Sequence, residues 1–316
     1  MAEAGKLARQ RIAIIWAYFL IYVVWGSTYY FIGVALEDLP PFLLGAFRFS
    51  TAGLLLLILC FFRGENILQP QLIRRSAVSG IVLLFVDMVV IMLAQRYVSS
   101  SLVAIVASST ALWIMLLDVP RWRKNFRTPS TLLGMTTGFL GVGMLYAEQL
   151  TYNAHNTAHN EYGILILIAG CVSWALGTLY TQYRSGDSEP TNGFAGAAWQ
   201  MIFASSLFWL GAWITGEWTQ TDLSCVSGSS WASLLYLIIF GSLLAYSAYV
   251  WLLKVRPATE VATHAYVNPV VAVVIGVFFG HEQVSGLQLL GLTVILLSVV
   301  AVEWQPKPKT PRNGNH

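Results

Sequence analysis

The sequence predicts an all-α polytopic membrane protein with ten transmembrane helices, arranged as two inverted five-helix repeats. Three observations lead to this fold class: a scarcity of charge, apolar runs of membrane length, and basic residues that gather at alternate loops. Charged residues make up 10% of the 316 residues, against about 25% in soluble globular proteins. The apolar residues make up 56%, so the composition excludes an ordinary soluble chain.

The apolar runs are long enough for helices that cross a bilayer. A spanning helix needs about 20 residues, so ten of them would occupy about 200. The runs are continuous and do not alternate with polar residues, which argues against a β-barrel. We place the ten spans at 12–34, 41–62, 75–95, 98–118, 130–148, 162–182, 193–214, 231–253, 258–279 and 286–304.

The first four spans are bounded by charge or proline. Span one follows a basic segment that ends at Arg11, and its apolar run is too long for the core of a cleavable signal peptide, so we expect a retained anchor. Span two begins at Pro41. Span three follows Arg75, and span four follows the short loop that holds Arg96.

A polar linker at 151–160 divides the remaining spans and splits the chain almost in half. Span five ends at this linker, and span six begins after it. Span seven follows Pro190, and Pro257 opens span nine. We therefore predict two structural units: an N-terminal five-helix repeat at 1–150, and a C-terminal five-helix repeat at 151–316 that ends in a basic cytoplasmic tail.

The basic residues predict how the chain is oriented. Cytoplasmic loops retain Lys and Arg, and 16 of the 18 basic residues fall on one side of the ten-span arrangement. They are Lys6, Arg9, Arg11, Arg63, Arg74, Arg75, Arg121, Arg123, Lys124, Arg127, Arg184, Lys254, Arg256, Lys307, Lys309 and Arg312. We expect a multi-pass protein of the cell inner membrane with both termini in the cytoplasm.

Weak similarities recur in the same order in both halves, which indicates an internal repeat. The matching segments are 24–29 with 173–178, and 98–103 with 257–262. The same order sets Arg48 opposite Gln200 and Asp87 opposite Tyr246. Because each half has an odd number of spans, the second half enters the membrane from the other side. Inverted repeats of this kind are common in secondary transporters, whose substrate site lies near the midplane.

Three sequence blocks carry a resemblance to a known family. They are Trp25-Gly26-Ser27-Thr28-Tyr29, Ser173-Trp174-Ala175-Leu176-Gly177, and the block from Phe240-Gly241-Ser242 through Ala265-Tyr266-Val267-Asn268-Pro269-Val270-Val271-Ala272. Over essentially the whole chain, the sequence resembles the EamA branch of the drug/metabolite transporter superfamily. The resemblance implies two five-helix inverted repeats with cytoplasmic termini that export amino acids or other small metabolites. Thr110 stands opposite Pro269 where many members have two prolines, so we expect the halves to bend unequally.

Span nine carries Glu260, His264 and Asn268 at intervals of four residues on one helical face. Unpaired polar groups are costly in hydrocarbon, so we expect this stripe to face protein or a water-filled cavity. We predict that His264 and Asn268 bind substrate. Pro269 frees the carbonyl group of Ala265 and is the predicted gating or hinge residue. The alternative is a kinked helix whose polar residues bond only to a neighbouring helix.

Arg48 and Asp87 are the two charged residues deep inside spans. Arg48 lies about 10 Å below one edge of the hydrocarbon and Asp87 about 18 Å above the other, so their depths agree in a layer about 30 Å thick. One interpretation is a structural ion pair. In another, a zwitterionic substrate engages one or both charges. In a third, Asp87 is a proton-coupling site.

Deep aromatic and hydroxyl residues complete the predicted substrate site. Aromatic faces stack on planar groups and attract ammonium groups, and hydroxyls could wet a pathway. The predicted contacts are Trp25, Trp174, Tyr246, Tyr249, Ser108 and Ser109. Ordinary helix packing is the alternative for each of them.

Several other functions lack their sequence signatures. His155 and His159 have the spacing of metal ligands on a helix, but their polar linker has no helical pattern, so we expect no metal. The three cysteines give no disulfide framework. The chain has no phosphate-binding Gly-x-x-x-x-Gly-Lys loop, no motif of an intramembrane enzyme and no basic patch for nucleic acid. We expect neither a cofactor nor catalysis.

These observations predict a secondary active or facilitative transporter that works by alternating access. We expect it to export amino acids, aromatic and other neutral or polar ones, across the bacterial inner membrane, as a monomer whose partners are its cargo and the lipid bilayer. An exporter of drugs, nucleosides or other small metabolites is the main alternative. A channel is disfavoured by the inverted repeat and by the absence of a filter segment.

Overall fold

The computed structural model describes residues 2–126, 132–134, 136–141, 143–144, 160–184 and 193–303, and its regular structure within these ranges is all helical. In chain order, the apolar helices are α1 (Gln10–Ala35), α2 (Pro41–Phe62), α3 (Pro70–Ala94), α4 (Ser100–Leu117), α5 (Leu132–Gly141), α6 (Tyr162–Tyr183), α7 (Gly193–Ile214), α8 (Gly228–Val255), α9 (His264–Phe278) and α10 (Gly286–Glu303). The all-α prediction is confirmed for the part of the chain described.

Seven of these helices, all but α5, α9 and α10, are long and apolar enough to cross a membrane. The apolar parts of the other three are shorter, so ten crossings stay a prediction. Helix α3 begins at Pro70, five residues before the predicted start at residue 75, so Arg74 and Arg75 lie inside the helix. Proline is favoured in the first turn of a helix. The predicted boundary between residues 150 and 151 lies outside the described residues.

The helix ends gather at two faces, and carboxylates cap helix starts at one of them. Asp38, after α1, accepts hydrogen bonds from the N–H of Ser227 (3.0 Å) and the hydroxyl of Ser230 (2.7 Å) at the start of α8. The serine hydrogen bonds lower the pKa of Asp38. Glu217, after α7, accepts from the N–H of Leu43 in α2 at 3.0 Å, and burial raises its pKa. We call this end the second face, and the end where α1 begins the first face.

A third carboxylate, that of Glu282 after α9, caps α4 at the second face. It accepts the N–H groups of Ser100 and Ser101, at 3.2 Å and 3.1 Å, and both hydroxyl groups. Negative charge stabilises a helix N-terminus. Helix α6 also begins at this face. Its Gly163 lies next to Val98, just before α4, since a Cβ on Gly163 would lie 3.4 Å from the Val98 side chain. Helix α6 thus starts at the face where α1 ends, which is the relation that an inverted repeat requires.

Within the described ranges, five helical regions of the bundle interior depart from regular α-helix. Three π-helical stretches interrupt α1, α3 and α8, at Leu20–Val24, Gly80–Val86 and Leu237–Tyr246. Helix α4 breaks at residues 108–109, and a break at residues 262–263 separates a short helix from α9. Single π-helical turns occur frequently at functional sites. All five irregular regions lie in helices that line the cavity described below.

Helices α2 and α7 pack closely because each presents a glycine to an aromatic ring of the other. A Cβ on Gly45 would overlap Phe208, and a Cβ on Gly211 would overlap Phe42. Away from this contact the same helices expose large apolar side chains; Phe62 is 80% exposed and Trp213 is 74% exposed. The exposed side chains suit a lipid environment, whereas the glycines set how closely the two halves meet.

We expect Gly45→Leu to destabilise the protein, because the added side chain overlaps the Phe208 ring. Overpacking of a core costs about 1–3 kcal/mol. Unfolding temperature in detergent measures the loss. Gly228→Leu is the matched control, since the space around Gly228 is open. Equal unfolding temperatures for the two variants would contradict the proposed role of the α2–α7 contact.

We expect Glu282→Ala to lower the unfolding temperature, because the start of α4 loses the carboxylate that accepts from two N–H groups and two hydroxyls. Loss of an N-terminal cap costs about 0.5–2 kcal/mol. Glu282→Gln retains one acceptor oxygen and should lose less. If the glutamine variant is no more stable than the alanine variant, capping is not what Glu282 contributes.

Candidate functional site

A cavity lies between α1, α2, α3 and α4 of the first half and α6, α8 and α9 of the second. Its empty space, including the part that is open to solvent, is about 740 Å³. Arg48 lies in the first third of α2, and Ile32 and Ile91 lie near the ends of α1 and α3. The cavity therefore extends from the middle of the bundle toward the second face.

Most of the predicted site residues line this cavity. They are Trp25, Arg48, Asp87, Ser108, Trp174, Tyr246, His264 and Asn268. Tyr249, Ser109 and Pro269 are not among its lining residues. Tyr249 is fully buried behind the residues that line the cavity, and its hydroxyl lies 2.5 Å from that of Thr178. Ser109 is also fully buried, in the break of α4.

Arg48 is buried but holds its guanidinium group at the cavity. Its Nε donates to the Ser242 hydroxyl of α8 at 2.9 Å, and Nη1 lies 3.9 Å from the sulfur of Met88. The guanidinium carbon lies 4.9 Å from the centre of the Phe49 ring, within the range of a cation–π contact. Among the described residues, these contacts leave part of the donor fork of Arg48 without an acceptor.

Asp87 lies on the cavity wall at the point where the π-helical stretch of α3 ends. Its side chain makes no hydrogen bond to any residue in the described part of the chain, although the residue is only 7% exposed. Gly170 of α6 leaves room for the carboxylate, because a Cβ there would lie 3.4 Å from Oδ1. A carboxylate in such a place is costly unless something else engages it.

The predicted ion pair between Arg48 and Asp87 is not formed in this structure. The described ion pairs within 4.0 Å are Arg121 with Asp118 and Arg256 with Glu260. The guanidinium is drawn instead to Ser242 on the opposite half. Both charges therefore face the same cavity without neutralising each other at contact distance.

Aromatic rings form the wall of the cavity toward the first face. Trp25 lies 5.5 Å from Trp174, 5.0 Å from Tyr249 and 5.2 Å from His264, measured between ring centres. Tyr246 lies 6.4 Å from Trp25. These separations are typical of packed aromatic pairs. The cluster joins α1, α6, α8 and α9, so residues from both halves share this wall.

Asn268 has a structural task in addition to its place on the cavity wall. Its amide nitrogen donates to the carbonyls of Ile21 (2.9 Å), Tyr22 (2.8 Å) and His264 (3.0 Å) when it is oriented toward them. Two of these carbonyls belong to the π-helical stretch of α1. His264 Nδ1 lies 2.9 Å from the carbonyl oxygen of Val261. The alternative interpretation, in which these side chains bond to neighbouring backbone, thus describes part of what they do.

The other two π-helical stretches are also held by side chains from the opposite half. The Ser173 hydroxyl of α6 donates to the carbonyl of Val82 in α3 at 2.8 Å. Trp25 of α1 donates from Nε1 to the carbonyl of Gly241 in α8 at 3.0 Å. Backbone groups released inside a membrane protein must find such partners. Trp25 therefore serves both the wall and the backbone.

Helix α9 continues through Pro269, and the interruption lies earlier, at residues 262–263. Helix α4 breaks directly before Thr110, the residue that stands opposite Pro269. Both helices are interrupted, at different depths, so the irregularity does not require proline. Whether Pro269 acts as a hinge stays a prediction.

Sequence reasoning missed Ser242, Tyr29 and Thr28, which also line the cavity. Ser242 belongs to a block that carried the family resemblance, but one serine among many gave no signal of its own. Among the described residues, no three His, Cys, Asp or Glu side chains group as a metal site would require. His155 and His159 lie outside the described residues.

The comparison with known families agrees with this architecture. The EamA-like transporter family matches the chain twice, at residues 11–147 and 161–304. A solved crystal structure aligns with a TM-score of 0.66 over 92% of this chain and 97% of that chain, at 19% identity. At that identity the likeness concerns the fold alone.

Two bacterial relatives align over nearly their full lengths. The "Uncharacterized inner membrane transporter YedA" of Escherichia coli (strain K12) is 32% identical over 296 residues, covering 93% of this chain and 92% of that protein. The "Probable amino-acid metabolite efflux pump" of the same organism is 22% identical over 298 residues, covering 92% and 96%. The chain therefore belongs to the EamA-like transporter family and is a multi-pass membrane transporter.

Proposed function

We propose that this transporter exports amino acids, including aromatic ones, from the cytoplasm across the bacterial inner membrane. It moves them by alternating access of its two halves, 1–150 and 151–316, with both termini in the cytoplasm, and it works as a monomer that leaves its cargo chemically unchanged. The inner-membrane location is supported by the name of the relative YedA, an inner membrane transporter, and the cytoplasmic termini by the distribution of basic residues.

One observation carries the proposal for the cargo: Arg48 and Asp87 face the same cavity and do not pair with each other. An amino acid presents a carboxylate and an ammonium group on one carbon atom. The guanidinium fork suits a carboxylate, and Asp87 suits an ammonium group, through charge-assisted hydrogen bonds. A zwitterion would therefore supply each buried charge with a partner that the described part of the chain does not provide.

The aromatic wall supports cargo with a planar side chain. Trp25, Trp174 and Tyr246 present rings to the cavity, and such rings stack on planar groups or attract ammonium groups. The name of one relative, a probable amino-acid metabolite efflux pump, agrees with this class of cargo. The same wall would also accept amphiphilic drugs, nucleosides or other metabolites, which remain the second candidate cargo.

We expect counterflow of labelled amino acids in proteoliposomes that contain the protein. Vesicles loaded with unlabelled cargo should take up label faster than vesicles without cargo. The reason is that an alternating-access carrier exchanges one cargo molecule for another faster than it catalyses net transport. Uptake with and without a proton gradient reports on coupling. The amino-acid assignment fails if no amino acid exchanges above protein-free vesicles, and drugs or nucleosides in the same assay then test the second candidate.

We expect Asp87→Asn and Arg48→Gln to change specificity in opposite ways. The probes are phenylalanine, phenethylamine without the carboxylate, and phenylpropionate without the ammonium group. Each variant should lose phenylalanine exchange roughly tenfold or more, as expected for a lost hydrogen bond to a charged group. Asp87→Asn should retain phenylpropionate, and Arg48→Gln should retain phenethylamine.

Ser206→Ala is the control variant for this experiment, since Ser206 bonds only to the carbonyl of Ile202 in its own helix. It should exchange all three probes as the native protein does. If both charge variants lose every probe to the same extent, the charges stabilise the fold and do not select cargo.

A further inference from the structure

The two halves use corresponding residues differently at the cavity. The repeat sets Arg48 of α2 opposite Gln200 of α7, and Asp87 of α3 opposite Tyr246 of α8. Asp87 follows the π-helical stretch of α3, and Tyr246 ends that of α8. The four positions thus form two corresponding pairs, one in each half, and their bonding is directly comparable.

The pair in the second half is closed, by which we mean that its two side chains are hydrogen-bonded to each other. The Tyr246 hydroxyl donates to Oε1 of Gln200 at 2.6 Å, and Nε2 of Gln200 donates to the Ser79 hydroxyl of α3 at 2.8 Å. All three side chains are buried. The chain of bonds runs from α8 through α7 to α3, and so it ties the second half to the first.

The pair in the first half is open, because its two side chains do not bond to each other. Arg48 also bonds across the halves, to the Ser242 hydroxyl of α8 at 2.9 Å, about one helical turn beyond the position that the repeat sets opposite Ser79. The bond within the half is missing, because Asp87 does not engage Arg48 or any other described residue. In each half, the residue of α2 or α7 therefore bonds to the other half, and the two halves differ in the bond within the half.

The backbone shows the same difference. At Gly80 of α3, a Cβ would overlap the backbone of Gln200, so α3 and α7 touch directly. At Gly241 of α8, a Cβ would lie 3.1 Å from Nη2 of Arg48. The guanidinium group thus occupies the space between α8 and α2, on the side toward which the cavity extends.

We propose that these two pairs are the gates of the transport cycle. Gln200 and Tyr246, held by Ser79, close the cavity toward the first face, while Arg48 and Asp87 are the corresponding gate, open toward the second face. Exchange of the two conformations opens the first-face gate and brings Arg48 and Asp87 together as an ion pair. The proposal concerns the empty carrier and does not depend on which cargo it moves.

Symmetry and electrostatics give the same expectation for the exchanged state. In an inverted repeat, each half has access to the conformation that the other half adopts, so the opposite-facing state is the same structure with the halves exchanged. Closing the first-half pair buries Arg48 and Asp87 away from the cavity. Two buried charges are then far better paired than separate.

Thiol labelling of the solubilised, cargo-free protein tests this proposal. Ala104→Cys reports on the side of the cavity toward the second face, and Thr263→Cys, its repeat counterpart, on the side toward the first face. Labelling rates at each position are read from peptide masses. The native Cys225 is exposed and serves as the internal reference in every variant.

Tyr246→Phe and Asp87→Asn should act in opposite directions. Tyr246→Phe removes a bond of the present state, so labelling at 104 should slow and labelling at 263 should rise. Asp87 makes no bond in this state, so Asp87→Asn destabilises only the exchanged state and labelling at 104 should rise. Each change should be roughly threefold to tenfold, the population shift expected from one hydrogen bond.

A double variant separates a gate from two independent structural effects. If Arg48 and Asp87 pair in the exchanged state, Asp87→Asn should have little further effect in an Arg48→Gln background, because the pair is already lost. Gln200→Ala provides a second route to the effect of Tyr246→Phe. The proposal is overturned if Asp87→Asn leaves labelling unchanged, or if it shifts labelling in the same direction as Tyr246→Phe.

Discussion

The structure depends on satisfying backbone groups that irregular helices release in the middle of an apolar bundle. Such groups have no water to bond with, so side chains must take its place. Asn268, Ser173 and Trp25 each donate to a π-helical stretch of the other half. The departures from regular helix that shape the cavity are therefore also the points at which the two halves hold each other. All three donors lie in the sequence blocks that carried the family resemblance.

This constraint divides the polar residues of the cavity into two groups. Asn268 and Trp25 are largely committed to backbone carbonyls, and Tyr249 to the hydroxyl of Thr178. Arg48 and Asp87 retain bonding capacity that no group in the described ranges takes up. The residues best placed to bind cargo are thus those with the fewest hydrogen bonds to the protein. They are also the residues whose charges cost the most free energy inside a membrane.

The second face of the bundle has a different chemistry. Asp38, Glu217 and Glu282 cap helices that begin far away in the sequence. Their bonds tie the loops after α1, α7 and α9 to the starts of α8, α2 and α4. These carboxylates hold the rim of the bundle on the side toward which the cavity extends, whereas packed rings and the hydrogen bond between Tyr246 and Gln200 lie on the opposite side.

The sequence by itself determined the helical class, the apolar helices and the family, because charge scarcity and run length report directly on the bilayer. Most of the site residues that it picked out line the cavity, since a polar side chain inside an apolar run has few reasons to be there. Only the tertiary structure decided which of them face the cavity. It placed Tyr249 and Ser109 behind the wall and kept Arg48 from Asp87 by offering Ser242 as a partner. Depth along a helix is readable from residue number, but the direction of a side chain depends on breaks and π-helical turns that the apolar pattern does not encode.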